Sequence, residues 1–217
     1  MSHEIRTPMN AILGFTELLD GRLQDPELQR YLNSIKSSGR TLLGLINDIL
    51  DLSKIEAGKL ELRPAPTSVR SVISEVAQIF SDSASRKGLD LVLRLDDNLA
   101  AELVLDEVRL RQILFNLIGN AVKFTEQGSV TLDIKQLNRG DGLVELIITV
   151  ADTGVGIPTK DQKRIFGAFE QRQDQDQGRY GGTGLGLAIT RKLIAMMGGS
   201  ITVESAEGRG SLFSVRL

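Results

Sequence analysis

Between Asp25 and Gly58 apolar residues return at every third or fourth position, and this periodicity limits what the chain can become more than any other feature. Leu28, Leu32, Ile35, Gly39, Leu42, Ile46, Ile49 and Leu50 fall on one side of a helix of about eight turns. The stretch "DPEL" starts it: Asp25 suits an N-cap, and Pro26 suits the first helical position, where a missing N–H costs nothing. Gly58 can cap the other end. An earlier helix runs from residue 1 to about 22, with Ile5, Met9, Ile12, Thr16, Leu19 and Leu23 on one side and His3, Thr7, Asn10, Gly14 and Glu17 opposite. His3 is therefore expected to face outward. Two amphipathic helices on a short loop make a hairpin that cannot enclose its own apolar stripe, so pairing with a second copy into a four-helix bundle is the expected solution.

The stretch "LRPAPTS", with Pro64 and Pro66, breaks helical continuity and sets a boundary: residues 1–63 form the hairpin domain and residues 64–217 a second one. The second reads as a helix (about 68–87), strands "LDLVLRL" and "ELVLD", and a helix with Asp106 as its N-cap. Two long strands follow ("SVTLDIKQL" and "LVELIITVAD"), then a glycine-rich stretch, a helix (about 184–198) and two closing strands. Helices mixed with hairpin-linked strands, without strict β-α-β alternation, give an α+β two-layer sandwich with one helical layer. "QRQDQDQGRYGG" is polar and poor in apolar residues, so a mobile loop is expected there.

The absence of cysteine and the single histidine exclude disulfides, thiolate metal sites and imidazole clusters, so any metal should be oxygen-ligated. A net charge of -2 provides no field for nucleic acid. No apolar run approaches the ~20 residues needed to cross a bilayer, and no signal-peptide pattern appears. A soluble, cytoplasmic segment without membrane contact is expected.

Three stretches carry chemistry. In "DEVRLRQILFNLIGNAVKFT" the residues Arg109, Gln112, Asn116, Asn120 and Lys123 share one helical stripe, while Leu114, Leu117, Ile118 and Ala121 turn away. That stripe is either a solvated face or a set of amide oxygens and a lysine that hold a hydrated magnesium ion and phosphate oxygens. "VADTGVGIP" runs a strand into Asp152, Gly154 and Gly156. It is either a plain turn or a carboxylate accepting the exocyclic amine of adenine, with glycines that let the backbone approach the ring. "RYGGTGLGLAI" opens directly into a helix whose first N–H groups can hold an anion. It is not the dinucleotide fingerprint, because no β-α-β unit surrounds it.

In this order and context the three stretches resemble the Bergerat ATP-binding fold of histidine kinases, DNA gyrase, the large heat-shock chaperones and mismatch-repair ATPases. The opening "SHEIRTPMNAI" is similar to the phosphoacceptor box of sensor histidine kinases, and the resemblance extends over essentially the whole chain. "MSHEIRTPMNAI", "FEQ" and "YGGTGLGLAI" are especially similar to hybrid sensor kinases, although no receiver domain lies in this chain. The resemblance implies that His3 is the phosphoacceptor, Glu4 its general base and Thr7 a polar group assisting phosphatase activity. It makes Asn116, Asn120, Lys123 and Phe124 the asparagine box, with Asn120 on the metal. Asp152, Gly154 and Gly156 become the first glycine box with Ile157 beside it, and Phe166 and Phe169 the phenylalanine box. Arg179, Gly182, Thr183, Gly184, Leu185, Gly186 and Leu187 complete the nucleotide set around the second glycine box. Gly208 and Gly210 of "EGRGSLFSVRL" fit a turn between closing strands rather than the nucleotide. ATP, Mg2+, a homodimer, a response-regulator receiver domain as partner and two-component signalling are implied with them. So is a membrane-anchored parent protein in which the first helix continues upstream.

Hydrolytic members of that fold carry a glutamate four residues before the metal-binding asparagine, where this chain has Asn116. An amide is no base, so the γ-phosphoryl group awaits another nucleophile. Neutral imidazole, with an unperturbed pKa of about 6.5, is available near neutral pH. Glu4 can take the ring proton or fix the tautomer, and Pro8 removes the hydrogen bond to the Glu4 carbonyl, allowing a bend beside the site. Two other readings are weighed: a kinase-like regulatory module acting by heterodimerisation, and a hydrolytic Bergerat-fold ATPase. Retention of His3, Asn120, Asp152 and the late glycines disfavours the first; Asn116 and the histidine hairpin disfavour the second.

Overall fold

The computed structural model describes residues 2–170 and 184–217, with side chains from Ile5 onward. The chain divides into two compact units, Met1–Leu60 and Glu61–Leu217.

In the first unit α1 (Ser2–Asp20) and α2 (Pro26–Glu56) pack as a hairpin. The Asp25 carboxylate accepts from the backbone N–H groups of Glu27 (2.8 Å) and Leu28 (3.4 Å), and Pro26 follows it as expected. Gln29 finishes α1 by donating its side-chain N–H groups to the carbonyls of Asp20 and Leu23, both at 3.0 Å. Gly58, at φ +63, ends α2, and the Lys59 N–H returns to the Lys54 carbonyl at 2.8 Å. The expected apolar stripe splits in two. Thr16, Leu32, Gly39 and Leu52 are buried in the hairpin. Ile5, Ile12 and Leu19 on α1, and Leu28, Ile35, Leu42 and Ile49 on α2, recur every seventh residue and are each 44–48% exposed. One chain leaves them uncovered.

The second unit runs β1 (Ala65–Thr67), α3 (Val69–Arg86), β2 (Leu89–Leu95), β3 (Leu103–Leu105), α4 (Glu107–Phe124), β4 (Gly128–Gly140) and β5 (Leu143–Asp152). A 3-10 turn (Arg164–Phe166), α5 (Gly186–Met196), β6 (Ser200–Ser205) and β7 (Ser211–Arg216) complete it. The main sheet has the order β2-β4-β5-β7-β6, parallel only between β2 and β4, where α4 lies on the connection. Leu132 and Ile134 of β4, Ile148 and Val150 of β5, and Val215 of β7 point to one buried face. Against it lie α3, α4 and α5, with Leu110, Ile113, Leu114, Leu117 and Ile118 of α4 fully buried. Asp106 caps α4 as expected: it accepts from Arg109 N–H (3.1 Å), and its second oxygen accepts from Arg63 N–H (2.8 Å). The sequence reading did not foresee β1, which lies inside "LRPAPTS" and pairs only with β3, Pro66 opposite Val104. Proline is tolerated on such an edge. The last helix begins at Gly186 rather than near 184, because Gly184 has φ +68, outside the helical region.

Candidate functional site

The C-terminal turn of α4 and the end of β5 meet. Val155 N–H donates to the Phe124 carbonyl at 3.3 Å, so the stretch after Asp152 is tied to the turn that carries Asn120, Lys123 and Phe124. Asn120, Lys123, Phe124 and Asp152 are all half-buried. The Lys123 ammonium lies 4.7 Å from the centroid of the Phe124 ring, and burial pushes its pKa below the usual lysine value. A cation held partly out of water favours an anionic ligand.

Asp152 stands opposite Ser211 in the β5–β7 register. Burial raises its carboxyl above the ordinary 3.8, while hydrogen bonds from Gly154 N–H (2.9 Å) and from the backbone and hydroxyl of Ser211 oppose that rise. These bonds fix the carboxylate and leave it acceptor capacity for a ligand amine. The glycines beside it also meet a constraint from the protein's own backbone. A Cβ on Gly154 would strike the Phe124 carbonyl, and one on Gly156, at φ +68, would strike the Ala206 carbonyl. They let the loop lie on the protein's own backbone. Ile157 is held in the same way: its N–H donates to Ser205 Oγ at 2.7 Å, and Gln162 Nε2 bonds the carbonyls of Ile157 (3.0 Å) and Ser205 (2.7 Å).

Asn116 faces α5. Its amide N–H groups donate to the Gly186 carbonyl and to Thr190 Oγ1, both at 3.2 Å, and a Cβ on Gly186 would come within 3.3 Å of Asn116 Oδ1, a tight contact. Leu185 at the start of α5 is fully buried, and no side-chain hydrogen bond caps the helix among the described residues, so its first-turn backbone N–H groups are suited to an anion. Phe166 is buried edge-on against Phe213 at 6.4 Å, with the Arg191 guanidinium 5.8 Å from its ring. It packs from the 3-10 turn onto Phe213 of β7. Phe169 is exposed and left-handed at φ +63, and its N–H donates to the Gly184 carbonyl at 3.1 Å. Gly208 and Gly210 sit in the β6–β7 turn at positive φ; Gly208 N–H reaches back to the Val155 carbonyl at 2.8 Å. Arg179, Gly182, Thr183 and the loop expected over "QRQDQDQGRYGG" lie outside the described residues.

His3 and Glu4 lie within α1, with their side chains outside the described residues, and Thr7 is exposed one turn further on. Sequence reasoning missed Ser205, Ser211 and Gln162, the groups that hold Asp152 and Ile157. "GRGSLFSVRL" carried the one available signal, since the strand pairing puts its serine opposite the strand-end aspartate.

A family profile for the His Kinase A (phospho-acceptor) domain matches residues 1–58, and one for the Histidine kinase-, DNA gyrase B-, and HSP90-like ATPase matches residues 105–217. The signal transduction histidine-protein kinase BarA of Escherichia coli (strain K12) is 44% identical over 213 residues, covering 98% of this chain and 23% of that protein. The chain thus spans about a quarter of the length of such relatives. Among solved structures, full-length ShkA in complex with AMPPNP matches with a TM-score of 0.81 and 38% identity over 99% of this chain and 44% of that one. ThkA in complex with the response regulator protein TrrA matches with a TM-score of 0.66 and 26% identity over 99% of this chain and 58% of that one.

Proposed function

The chain belongs to the histidine kinases, as a core in which a phosphoacceptor domain precedes an ATPase domain, and on that premise we propose that it phosphorylates its own His3 from ATP and passes the phosphoryl group to an aspartate of a response-regulator receiver domain. The observation that carries this reading is the junction of α4 with β5, where the Val155–Phe124 hydrogen bond ties the helix end that carries a partly desolvated lysine to the loop after a half-buried, oriented aspartate. Asp152 accepts the adenine amine, and Lys123 and the N-terminus of α5 hold phosphate oxygens. No group of three or more acidic or histidine side chains among the described residues suits a metal. Magnesium would be held by the Asn120 amide oxygen together with phosphates and water, where it would supply charge neutralisation. The AMPPNP bound to ShkA supports the nucleotide assignment.

In the transfer step an unprotonated ring nitrogen of His3 attacks the γ-phosphorus, the bond to the β-phosphate oxygen breaks, and ADP leaves. The proton on the other ring nitrogen passes to Glu4, which leaves an anionic phosphoramidate on an uncharged ring. The receiver aspartate then takes the phosphoryl group from His3, and Thr7, one turn along the same helix, serves the opposing activity in which water attacks the receiver phosphate and releases inorganic phosphate.

The chain works as a homodimer. Its seven half-exposed heptad residues form a seam of the kind that a second hairpin covers. The receiver docks on another part of α1, where Ala11, Gly14, Phe15 and Leu18 line a shallow hollow with Phe15 66% and Leu18 64% exposed. That ThkA was crystallised with a response regulator supports this assignment. No helix among the described residues is long and apolar enough to cross a membrane, and ATP supply puts the core in the cytoplasm.

Incubation with γ-labelled ATP tests the reading: the protein should carry an acid-labile, base-stable phosphoryl group that His3→Gln removes without weakening ATP binding. Free phosphate without phosphoprotein would instead favour a hydrolytic ATPase.

A further inference from the structure

The last four carbonyls of α4 have no partners inside the helix beyond what its end supplies, and the structure accounts for each of them. The Ala121 carbonyl accepts from Thr125 N–H (3.1 Å) and Thr125 Oγ1 (2.7 Å). The Phe124 carbonyl accepts from Val155 N–H. Those of Val122 and Lys123 have a remote partner: Lys87 Nζ donates to Val122 O at 2.7 Å and to Lys123 O at 2.9 Å, and reaches Thr125 O at 3.3 Å. An ammonium has three N–H donors, and three carbonyls receive them. Lys87 is the residue just past the end of α3, followed by Gly88 at φ +67, which turns the chain into β2.

We propose that Lys87 is a positioning residue of the nucleotide site, a cation that closes the C-terminus of α4 and so fixes the turn from which Asn120, Lys123 and Phe124 project. A positive charge at a helix C-terminus is favourable by itself. Here it also replaces the glycine-based ending that α4 lacks, since Thr125 continues in extended conformation. The same turn carries the carbonyl on which Gly154 rests and to which Val155 bonds, so the loop after Asp152 hangs from it. Asp152 itself is anchored in the sheet between β4 and β7, and its carboxylate accepts from Ser211 of β7 as well as from Gly154 of the loop that hangs from this turn. Loss of the clamp therefore displaces the phosphate-binding lysine and leaves the adenine-binding carboxylate in place.

The inference rests on the nucleotide reading above, and the test separates the two. ADP and adenosine are titrated against the whole chain as parent, Lys87→Met and Lys87→Arg. Lys87→Met should weaken ADP on the order of tenfold while leaving adenosine affinity unchanged. Lys87→Arg keeps the charge but spreads its donors in a plane, so it should fall between parent and Lys87→Met for ADP. Because Lys87 acts in part through Lys123, adding Lys87→Met to Lys123→Met should cost less ADP affinity than the two single losses summed. Parent-like ADP affinity in both Lys87 variants, an equal loss for adenosine and ADP, or additive losses with Lys123→Met would each overturn the positioning role. A parent that binds neither ligand would overturn the nucleotide reading itself.

Discussion

Asn116 of α4 and Thr190 of α5 are joined by a 3.2 Å hydrogen bond between the amide nitrogen and a fully buried hydroxyl, and the same amide also donates to the Gly186 carbonyl. Asn116 thus links the helix that offers polar groups to a nucleotide with the helix whose first amides face the same ligand. Asn116→Asp removes both donors and turns a carboxylate toward a carbonyl oxygen. It should destabilise the second unit by about 1 to 3 kcal/mol, whereas Thr190→Val, which removes one acceptor, should cost about 1 kcal/mol. Urea unfolding measures both, and midpoints equal to the parent's would show that the contact contributes nothing.

Gly39 and Gly44 lie on one helix but face different surroundings. A Cβ on Gly39 would come within 2.9 Å of Leu13 Cδ2, and nothing lies within 4 Å of one on Gly44. Gly44→Ala should therefore stabilise the hairpin by about 0.5 to 1 kcal/mol through helix propensity. Gly39→Val forces α1 away from α2 and should destabilise it by about 1 to 3 kcal/mol. Thermal melts of the two variants that move in the same direction would refute the close approach at Gly39.

What the sequence disclosed was local. The caps at Asp25 and Asp106, the proline after the first, and the end at Gly58 were legible because each partner lies within a few residues. Strand β1 was hidden by its two neighbouring prolines: its pairing depends on β3, far along the chain, and breaker residues mask an edge strand. The nucleotide stripe on α4 was readable from periodicity, but the partner of Asn116 is 74 residues away and that of the Lys123 carbonyl is 36 away. Periodicity says which side of a helix a residue occupies, not what waits there. For the same reason the Phe124 and Ala206 carbonyls that press on Gly154 and Gly156 were not visible in the sequence.

The apolar seam of the hairpin predicts its own disruption. Ile12 and Ile35 are 45% and 48% exposed in the single chain and belong to the two seven-residue series. Burying an isoleucine side chain contributes about 1.5 to 3 kcal/mol, and a symmetric dimer contains each position twice. Ile35→Glu should then raise the dimer dissociation constant on the order of a hundredfold or more, with ADP affinity unchanged because the second unit folds around its own core. Sedimentation equilibrium decides it; an unchanged association constant would mean that these positions do not form the dimer seam.

Asp152 gives a prediction in which stability and binding move in opposite directions. Its carboxyl is raised above 3.8, chiefly by burial. A carboxyl raised in the folded state binds its proton more tightly there than in the unfolded chain, so protonation favours folding. Its contribution is fully present below the ordinary carboxylate value and is lost as pH rises through the raised value, leaving the charged group as a cost at neutral pH. Asp152→Asn removes that cost and keeps an oxygen to accept from Gly154 N–H and Ser211. The variant should unfold at higher urea concentration than the parent at neutral pH, and the advantage should shrink as the pH is lowered toward the carboxylate range. Binding should go the other way, because an amide accepts the adenine amine more weakly than a carboxylate, with ATP affinity falling by about tenfold. Urea unfolding across this pH range and ATP titration at neutral pH measure the two effects on the same protein. An Asp152→Asn variant no more stable than the parent at neutral pH would show that burial of the charge carries no cost, and one that binds ATP as tightly would remove Asp152 from adenine recognition.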